Sequence, residues 1–464
     1  MKTRIALVVL VLAGALAVVW TQTGESQVSM VVTNGTVVTM DAAGRVITNG
    51  AVAIDGSDIV AVGTADAIGR RFRGAETIDA AGGVVMPGLI NTHTHAPMVL
   101  FRGLADDLAL MEWLTKYIFP AEAKTVSPEF VRAGTRLAAL EMIQSGTTTY
   151  ADMYYFEEEI AKETKAAGLR GVLGQTVIQF PAPDAKTPAE ALARAETFIA
   201  MFKGDPLITP AVAPHAMYTL DGPTLTAARD LSKRHGVPTL IHLAETKDEA
   251  QTSQERHKSS PVAYLDGLEF LGPGVLAAHG VWVSDAEVAV LKTRGVGVSH
   301  NPESNMKLAS GTAPVPAYLR AGVAIGLGTD GAASNNDLDM FEAMRLTSLL
   351  HKLQTMDPRA MSAKEVLRMA TMGGAAALGM QDRIGSLEAG KRADLIVVGM
   401  SAARQTPMYD PISHLVYVTR GDDVQTTIVH GKVLMRDRTM LTLDQGAVLA
   451  DARAWADKVR TSVQ

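Results

Sequence analysis

The chain has no cysteine. That removes disulfide bonds, a thiol nucleophile, thiolate metal sites and lipid attachment through a lipobox thiol. Any metal ion must then be held by His, Asp or Glu. A net charge of −6 with no dense Lys/Arg run gives no electrostatic basis for binding nucleic acid. There is no glycine-rich loop of the kind that opens a helix onto a nucleotide, which counts against a doubly wound open sheet. Beyond residue 20 nothing in the chain reads as a membrane span.

What is present is an ordinary globular balance. Hydrophobic residues make up 47% and charged residues 20% of 464 positions, enough for one large domain plus a smaller one. Lys2 and Arg4 precede an uncharged run, residues 5–20, that ends before polar Thr21, Gln22 and Thr23. Residues 1–27 therefore read as an export signal or a retained N-terminal anchor, with the signal favoured. Ala15-Leu16-Ala17 offers a cleavage site. The chain is expected to be exported, either periplasmic or anchored facing outward, rather than cytoplasmic. A membrane is a partner only if this segment is retained.

Short strands with glycine turns fill residues 28–85, and the same texture returns in 381–440. The two flanks are expected to pair into one small β-sandwich domain formed by both chain ends, followed by a helical segment over 441–464. Between them, over 86–380, strand-like apolar runs alternate with helical stretches such as 128–145 and 224–235. The runs are 84–86, 147–150, 171–177, 208–212, 239–243, 275–278, 297–299 and 324–328. Alternation of this kind makes the chain α/β, and eight such units predict a closed (β/α)8 barrel of the TIM type.

Ionisable residues sit at the ends of these runs. His93 and His95 follow the first, and His215 follows the fourth. His242 lies in the fifth with Glu245 just after it. His279 follows the sixth and Asp330 the eighth. In a barrel the C-terminal strand ends open onto one face, so residues far apart in sequence converge. His93 and His95 are two apart, which points both rings to one side of an extended strand. With His242 and Asp330 they make a donor set suited to zinc or another borderline divalent ion. His215 and His279 read as metal or substrate residues.

The stretch Met86-Pro87-Gly88-Leu89-Ile90-Asn91-Thr92-His93-Thr94-His95 resembles the signature of the amidohydrolase superfamily. Further segments narrow the resemblance: Phe119-Pro120-Ala121-Glu122, Ser145-Gly146-Thr147-Thr148-Thr149, His242-Leu243-Ala244-Glu245, Ser299-His300-Asn301-Pro302, Gly328-Thr329-Asp330-Gly331 and the run from Ile384 to Leu395. They are similar to the branch that contains 5-methylthioadenosine/S-adenosylhomocysteine deaminases and triazine hydrolases. The resemblance spans residues 31–435 in order.

The resemblance implies a metal-dependent hydrolase that deaminates an adenine-type nucleoside or related N-heterocycle, with water as co-substrate and ammonia released. It implies His93, His95, His242 and Asp330 on the metal. It sets Glu122, His215 and Glu245 against the substrate, Asp330 doubling there, and His279 beside the metal-bound water. Glu245, His279 and Asp330 become the catalytic residues: hydroxide on the metal attacks, Asp330 takes a proton and Glu245 protonates the ring. Two-metal relatives use a carboxylated lysine after the fourth strand. Here Val212-Ala213-Pro214-His215-Ala216-Met217 has none, so one divalent ion per chain, zinc for preference, is expected. Some relatives that use S-adenosylhomocysteine carry an arginine on the third strand, where Gly174 stands here. Two alternatives stay open: removal of chloride or alkylamine from a triazine-like ring (or opening of a cyclic amide), and a non-catalytic binding protein. A homo-oligomer is compatible with all three.

Overall fold

A computed structural model describes residues 25–463. Residues 1–24, which carry the apolar run of the expected export segment, lie outside the described residues. Among the described residues no helix is long and apolar enough to cross a membrane.

Eight parallel strands close into a barrel. In chain order they are Leu89–Thr94, Thr147–Tyr154, Arg170–Val177, Ile208–Pro214, Thr239–Leu243, Val275–His279, Gly297–His300 and Ala324–Leu327. Most of their residues are buried on both faces, as in Thr147–Tyr154, where every residue is buried. The barrel interior is filled by Ile90, Ala151, Met153, Val172, Ala211, Ala213, Leu240 and Leu276, packed with Ala375, Leu378 and Met380. It is a packed core, so chemistry is confined to the open strand ends. Gly174 faces this interior, where a Cβ would lie 2.9 Å from that of Ala213.

The intervening helices begin where the sequence supplies caps. Ser127, Asp221, Thr246 and Ser284 each accept a backbone N–H from the first turn of the helix that follows. These oxygens satisfy donors that a helix start leaves unpaired.

The chain ends build a separate nine-stranded sheet. Its seam joins Val84–Pro87 to Leu395–Val398 in antiparallel register, with Val85 opposite Val397 and Met86 opposite Ile396. The sheet wraps over a shared core: Met30, Val32, Val52 and Ile54 pack in one cluster with Leu395, Val397 and Ile428. A final helix, Gln445–Val463, returns to the barrel and sets Trp455 edge-on to Phe130 at 5.4 Å.

One strand differs from the sequence reading. Residues 84–87 pair within the small sheet, and the first barrel strand is Leu89–Thr94. The chain passes between the two at Gly88. A Cβ there would stand 2.1 Å from the Thr148 side chain, so only glycine fits the crossing. As a result His93 lies on a barrel strand, and only His95 follows it.

Barrel and sheet are pinned by a buried ion pair. Arg170, opening the third barrel strand, donates to Asp394 at 2.9 and 3.2 Å, and both side chains are almost fully buried. Asp394 also accepts from the His430 N–H at 2.7 Å. Arg170→Ala leaves a buried carboxylate without its partner, a loss of about 3–5 kcal/mol. We expect a lower thermal midpoint in scanning fluorimetry, with Arg170→Lys recovering only part of it.

Candidate active site

His93, His95, His242, His279 and Asp330 gather at the C-terminal mouth of the barrel. The His93 ring centroid lies 4.9 Å from those of His95 and His242 and 5.4 Å from that of His279. His95 Nε2 and His242 Nε2 are 3.3 Å apart. Asp330 Oδ1 lies 3.4 Å from His93 Nε2 and 3.3 Å from His95 Nε2.

Backbone carbonyls decide which nitrogens face the centre. His95 Nδ1 sits 2.6 Å from the Met153 carbonyl, and His242 Nδ1 sits 2.9 Å from the His215 carbonyl. A carbonyl only accepts, so each Nδ1 carries a hydrogen and each Nε2 faces inward, bearing a lone pair in the neutral ring. Two inward lone pairs at 3.3 Å cannot bond each other. The buried His93 Nε2 has no hydrogen-bond partner at all. Orphaned acceptors are costly in a buried site unless a cation takes them. The donor set of three imidazoles and a carboxylate therefore fits a divalent ion, and the His93, His95 and His242 ligand atoms all lie within 4.8 Å of one another.

Local folding explains the placement. Asn91 clamps the first strand end to the eighth: its Nδ2 donates to Thr329 Oγ1 at 2.8 Å and its Oδ1 accepts from the Thr329 N–H at 3.1 Å. The Asp330 N–H then reaches the His93 carbonyl at 2.9 Å. Asp330 Oδ1 accepts from the Gly331 N–H, and Oδ2 accepts from Ser334 Oγ at 3.0 Å. His279 and Asp330 hold left-handed backbone, at φ 73° and 68°. Non-glycine residues in that region store strain, and it recurs where side chains are aimed for a task.

Electrostatics follow from burial and neighbours. Burial pushes His93 down to about 4 despite Asp330. Burial also opposes a charge on His95, but the hydrogen bond and charge of Asp330 lift it to about 9. Asp330 itself is held well below the carboxylate range: burial disfavours its charge, and the two imidazoles outweigh that. Burial pushes His215 down to about 3, with the charges of His95 and His93 adding to it. These are the balances of a centre built around positive charge.

The remaining predicted residues line the same cavity. Glu245 and His279 are buried, with Glu245 Oε2 3.8 Å from His279 Nε2. Burial raises the Glu245 carboxyl, so it is no solvated loop acid. Glu122 is buried, accepts from Tyr154 Oη at 2.8 Å and is pushed by burial up to about 7. His215 borders the cavity with its Nδ1 3.1 Å from Thr219 Oγ1. Leu110 and Trp113 join Met98, Leu114, Ile118 and Phe119 as an apolar wall. Lys307 pairs with Asp106 and Asn336. Thr176, not Gly174, is the third-strand residue that reaches the cavity.

The amidohydrolase family profile matches residues 84–434. The chain belongs to the amidohydrolase family. A 5-methylthioadenosine/S-adenosylhomocysteine deaminase of Syntrophobacter fumaroxidans is 49% identical over 94% of this chain and 100% of its own length. A 5′-deoxyadenosine deaminase of Methanosarcina barkeri is 47% identical over 94% of this chain and 99% of its own. The crystal structure of an adenosine deaminase from Xanthomonas campestris with bound zinc superposes with a TM-score of 0.93 at 40% identity, covering 94% of this chain and 100% of that one. An atrazine chlorohydrolase of Arthrobacter aurescens has a TM-score of 0.85 at 24% identity, over 92% of this chain and all of that one, and shows a shared fold.

Several residues that build the site escaped the sequence reading. Asn305 Oδ1 and Asn301 Nδ2 contact His279 Nδ1 at 3.0 and 3.3 Å. Glu249 accepts from the Ala244 and Glu245 N–H groups and fixes the turn that carries Glu245. Ser299-His300-Asn301-Pro302 was the one signal for Asn301, and it stops short of Asn305. Glu249 had none, since it follows Asp248 in a run that reads as solvated.

Glu122 offers a pH test. A carboxyl raised to about 7 from 4.5 binds its proton more tightly when folded. Its contribution is complete below pH 4.5 and is lost as pH rises through about 7. Glu122→Gln has no such proton. The thermal midpoint of the unmodified chain, relative to this variant, should fall between pH 5 and 7.

Proposed function

We propose that this chain is an aminohydrolase that replaces the amino group of an adenine-type nucleoside with oxygen and releases ammonia. The observation that carries the reading is the buried Glu245 carboxyl beside His279, both facing a point shared by three inward imidazole nitrogens and Asp330. Such a set unites an acid, a base and a cation site around one reacting carbon. The deaminase names of relatives at 47% and 49% identity support the same substrate class. The neighbours at 24% lend no support to a triazine substrate, because they speak for the fold alone.

His93, His95, His242 and Asp330 would hold one divalent ion, zinc for preference. No lysine is among the residues lining the cavity to bridge a second ion. When bound, the ion lowers the pKa of a water from about 15.7 towards about 7. The chain's own residues then divide the proton work. Asp330 takes one proton from water and delivers it to the departing amine. Glu245, pushed by burial towards its protonated form, donates to the ring nitrogen next to the reacting carbon. The second water proton restores Glu245, so water supplies both hydrogens that the products gain. His279, its Nδ1 held by Asn305, presents Nε2 to the attacking oxygen. Glu122 and His215 bind the substrate, and the wall from Leu110 to Phe119 covers its less polar end. Export of the chain belongs to this proposal and rests on Lys2, Arg4 and the apolar residues 5–20.

Zinc-loaded protein should release ammonia from adenosine, 5′-deoxyadenosine or 5-methylthioadenosine in a panel that also holds guanine, pterins and aminotriazines. Release confined to the triazines, or from nothing, overturns the reading. Elemental analysis should find about one zinc per chain, lost in His242→Ala. Glu245→Gln should lower turnover by about 10²–10⁴-fold with zinc retained; a fall under about tenfold removes Glu245 as the acid. Asp330→Asn should abolish turnover and weaken zinc together.

A further inference from the structure

A second group of ligating atoms lies away from the imidazoles. One carboxylate oxygen each from Glu303, Asp337 and Glu342 falls within 4.8 Å of the others. An acidic cluster alone means little, but Glu303 is 93% buried by its 7% exposure, and its Oε1 has no hydrogen-bond partner. Its other oxygen has only a long contact, 3.4 Å, from Asn335 Nδ2. Asp337 spends Oδ1 on the Asp339 N–H at 2.8 Å, which leaves Oδ2 free of that turn. Asp339 adds charge nearby, but its oxygens accept from the Phe341 and Gly421 N–H groups. Among the described residues no lysine, arginine or histidine forms an ion pair with Glu303, Asp337 or Glu342. Three carboxylates so close, one of them out of water, must share protons or share a cation.

We propose that Glu303, Asp337 and Glu342 form a second cation site, for calcium, that braces the loops behind the imidazole centre. The chemistry of the donors selects the ion. All are hard carboxylate oxygens, and no nitrogen or sulfur donor is among them. Oxygens that all lie within 4.8 Å of one another can surround one ion at contacts of about 2.3–2.6 Å, and calcium accepts irregular coordination where magnesium demands a near-ideal octahedron. Glu342 is exposed, so an ion can enter and waters can complete its shell. Burial and the neighbouring acids push Asp337 up to about 7, and a calcium ion relieves that repulsion.

The position gives the ion a task. Glu303 lies in the short helix Pro302–Lys307, whose Asn305 holds His279 Nδ1. Asp337 lies in the segment that leads from Asp330. Asn335 spans the two, contacting Glu303 and donating to the carbonyl of Thr329, which precedes Asp330. An ion there ties the loop that orients His279 to the loop that carries Asp330. This inference does not rest on the deaminase reading, because it is tested by binding.

The test uses zinc-loaded full chain dialysed free of calcium. Titration with CaCl2 in a calorimeter should show one saturable site per chain and a rise in thermal midpoint. MgCl2 should bind more weakly. Glu303→Gln and Glu342→Gln should each weaken calcium by about tenfold or more with zinc content unchanged. Glu342 is exposed, so that variant folds even if the first does not. Three results overturn the proposal: no saturable heat up to about 10 mM calcium, well beyond the weakest protein sites; calcium binding unchanged in Glu342→Gln; or magnesium binding as tight as calcium.

Discussion

The centre of this molecule depends on one constraint: buried imidazoles whose hydrogens are committed elsewhere. His95 and His242 each give Nδ1–H to a backbone carbonyl, so their Nε2 atoms must face inward. The carbonyls belong to Met153 and His215, at the ends of the neighbouring second and fourth strands. Ring orientation is thus set by the barrel itself and not by side chains that could rotate away. His93 Nε2 meets the same point with nothing to bond. The fold holds a set of inward nitrogens that fits a bound cation.

The strand ends are then locked to each other. Asn91 and Thr329 exchange two hydrogen bonds between the first and eighth strands, closing the barrel where its metal-type donors lie. Thr94 and the N–H of Ala96 both bond Asp152, which holds the turn after His95 from below. The strained backbone at His279 and Asp330 persists because these neighbours over-determine it. Closure of the sheet and aim of the side chains are one structural event.

Burial also separates carboxyl groups of the same kind into different tasks. Asp330, between two imidazoles, keeps its charge. Glu245 and Glu122 face fewer donors and are pushed towards the neutral form. An anion that takes protons and an acid that gives them can then stand in one cavity at one pH. Leu110, Trp113 and Leu114 help keep water out of that cavity and so keep the difference large.

Much of this was legible in the sequence, because it follows from short-range pattern. Alternating apolar runs and helix caps specify the barrel, and a histidine or aspartate at a strand end needs no further information to reach its open face. His93, His95, His242, His279, Glu245 and Asp330 were all readable in that way. Residues 84–87 were not, because an apolar run looks the same in either sheet. Gly88 and the partner strand Leu395–Val398 decide its place, and they act across some 300 residues. Glu249, Asn301 and Asn305 escaped for a related reason: their tasks are hydrogen bonds to a turn or a ring fixed elsewhere. The sequence by itself determined which chemical groups stand at the barrel mouth, since strand period and strand end are local properties. Only the tertiary structure decided which nitrogen each histidine turns inward and which carboxyl keeps its proton, because those depend on carbonyls and charges brought from distant strands.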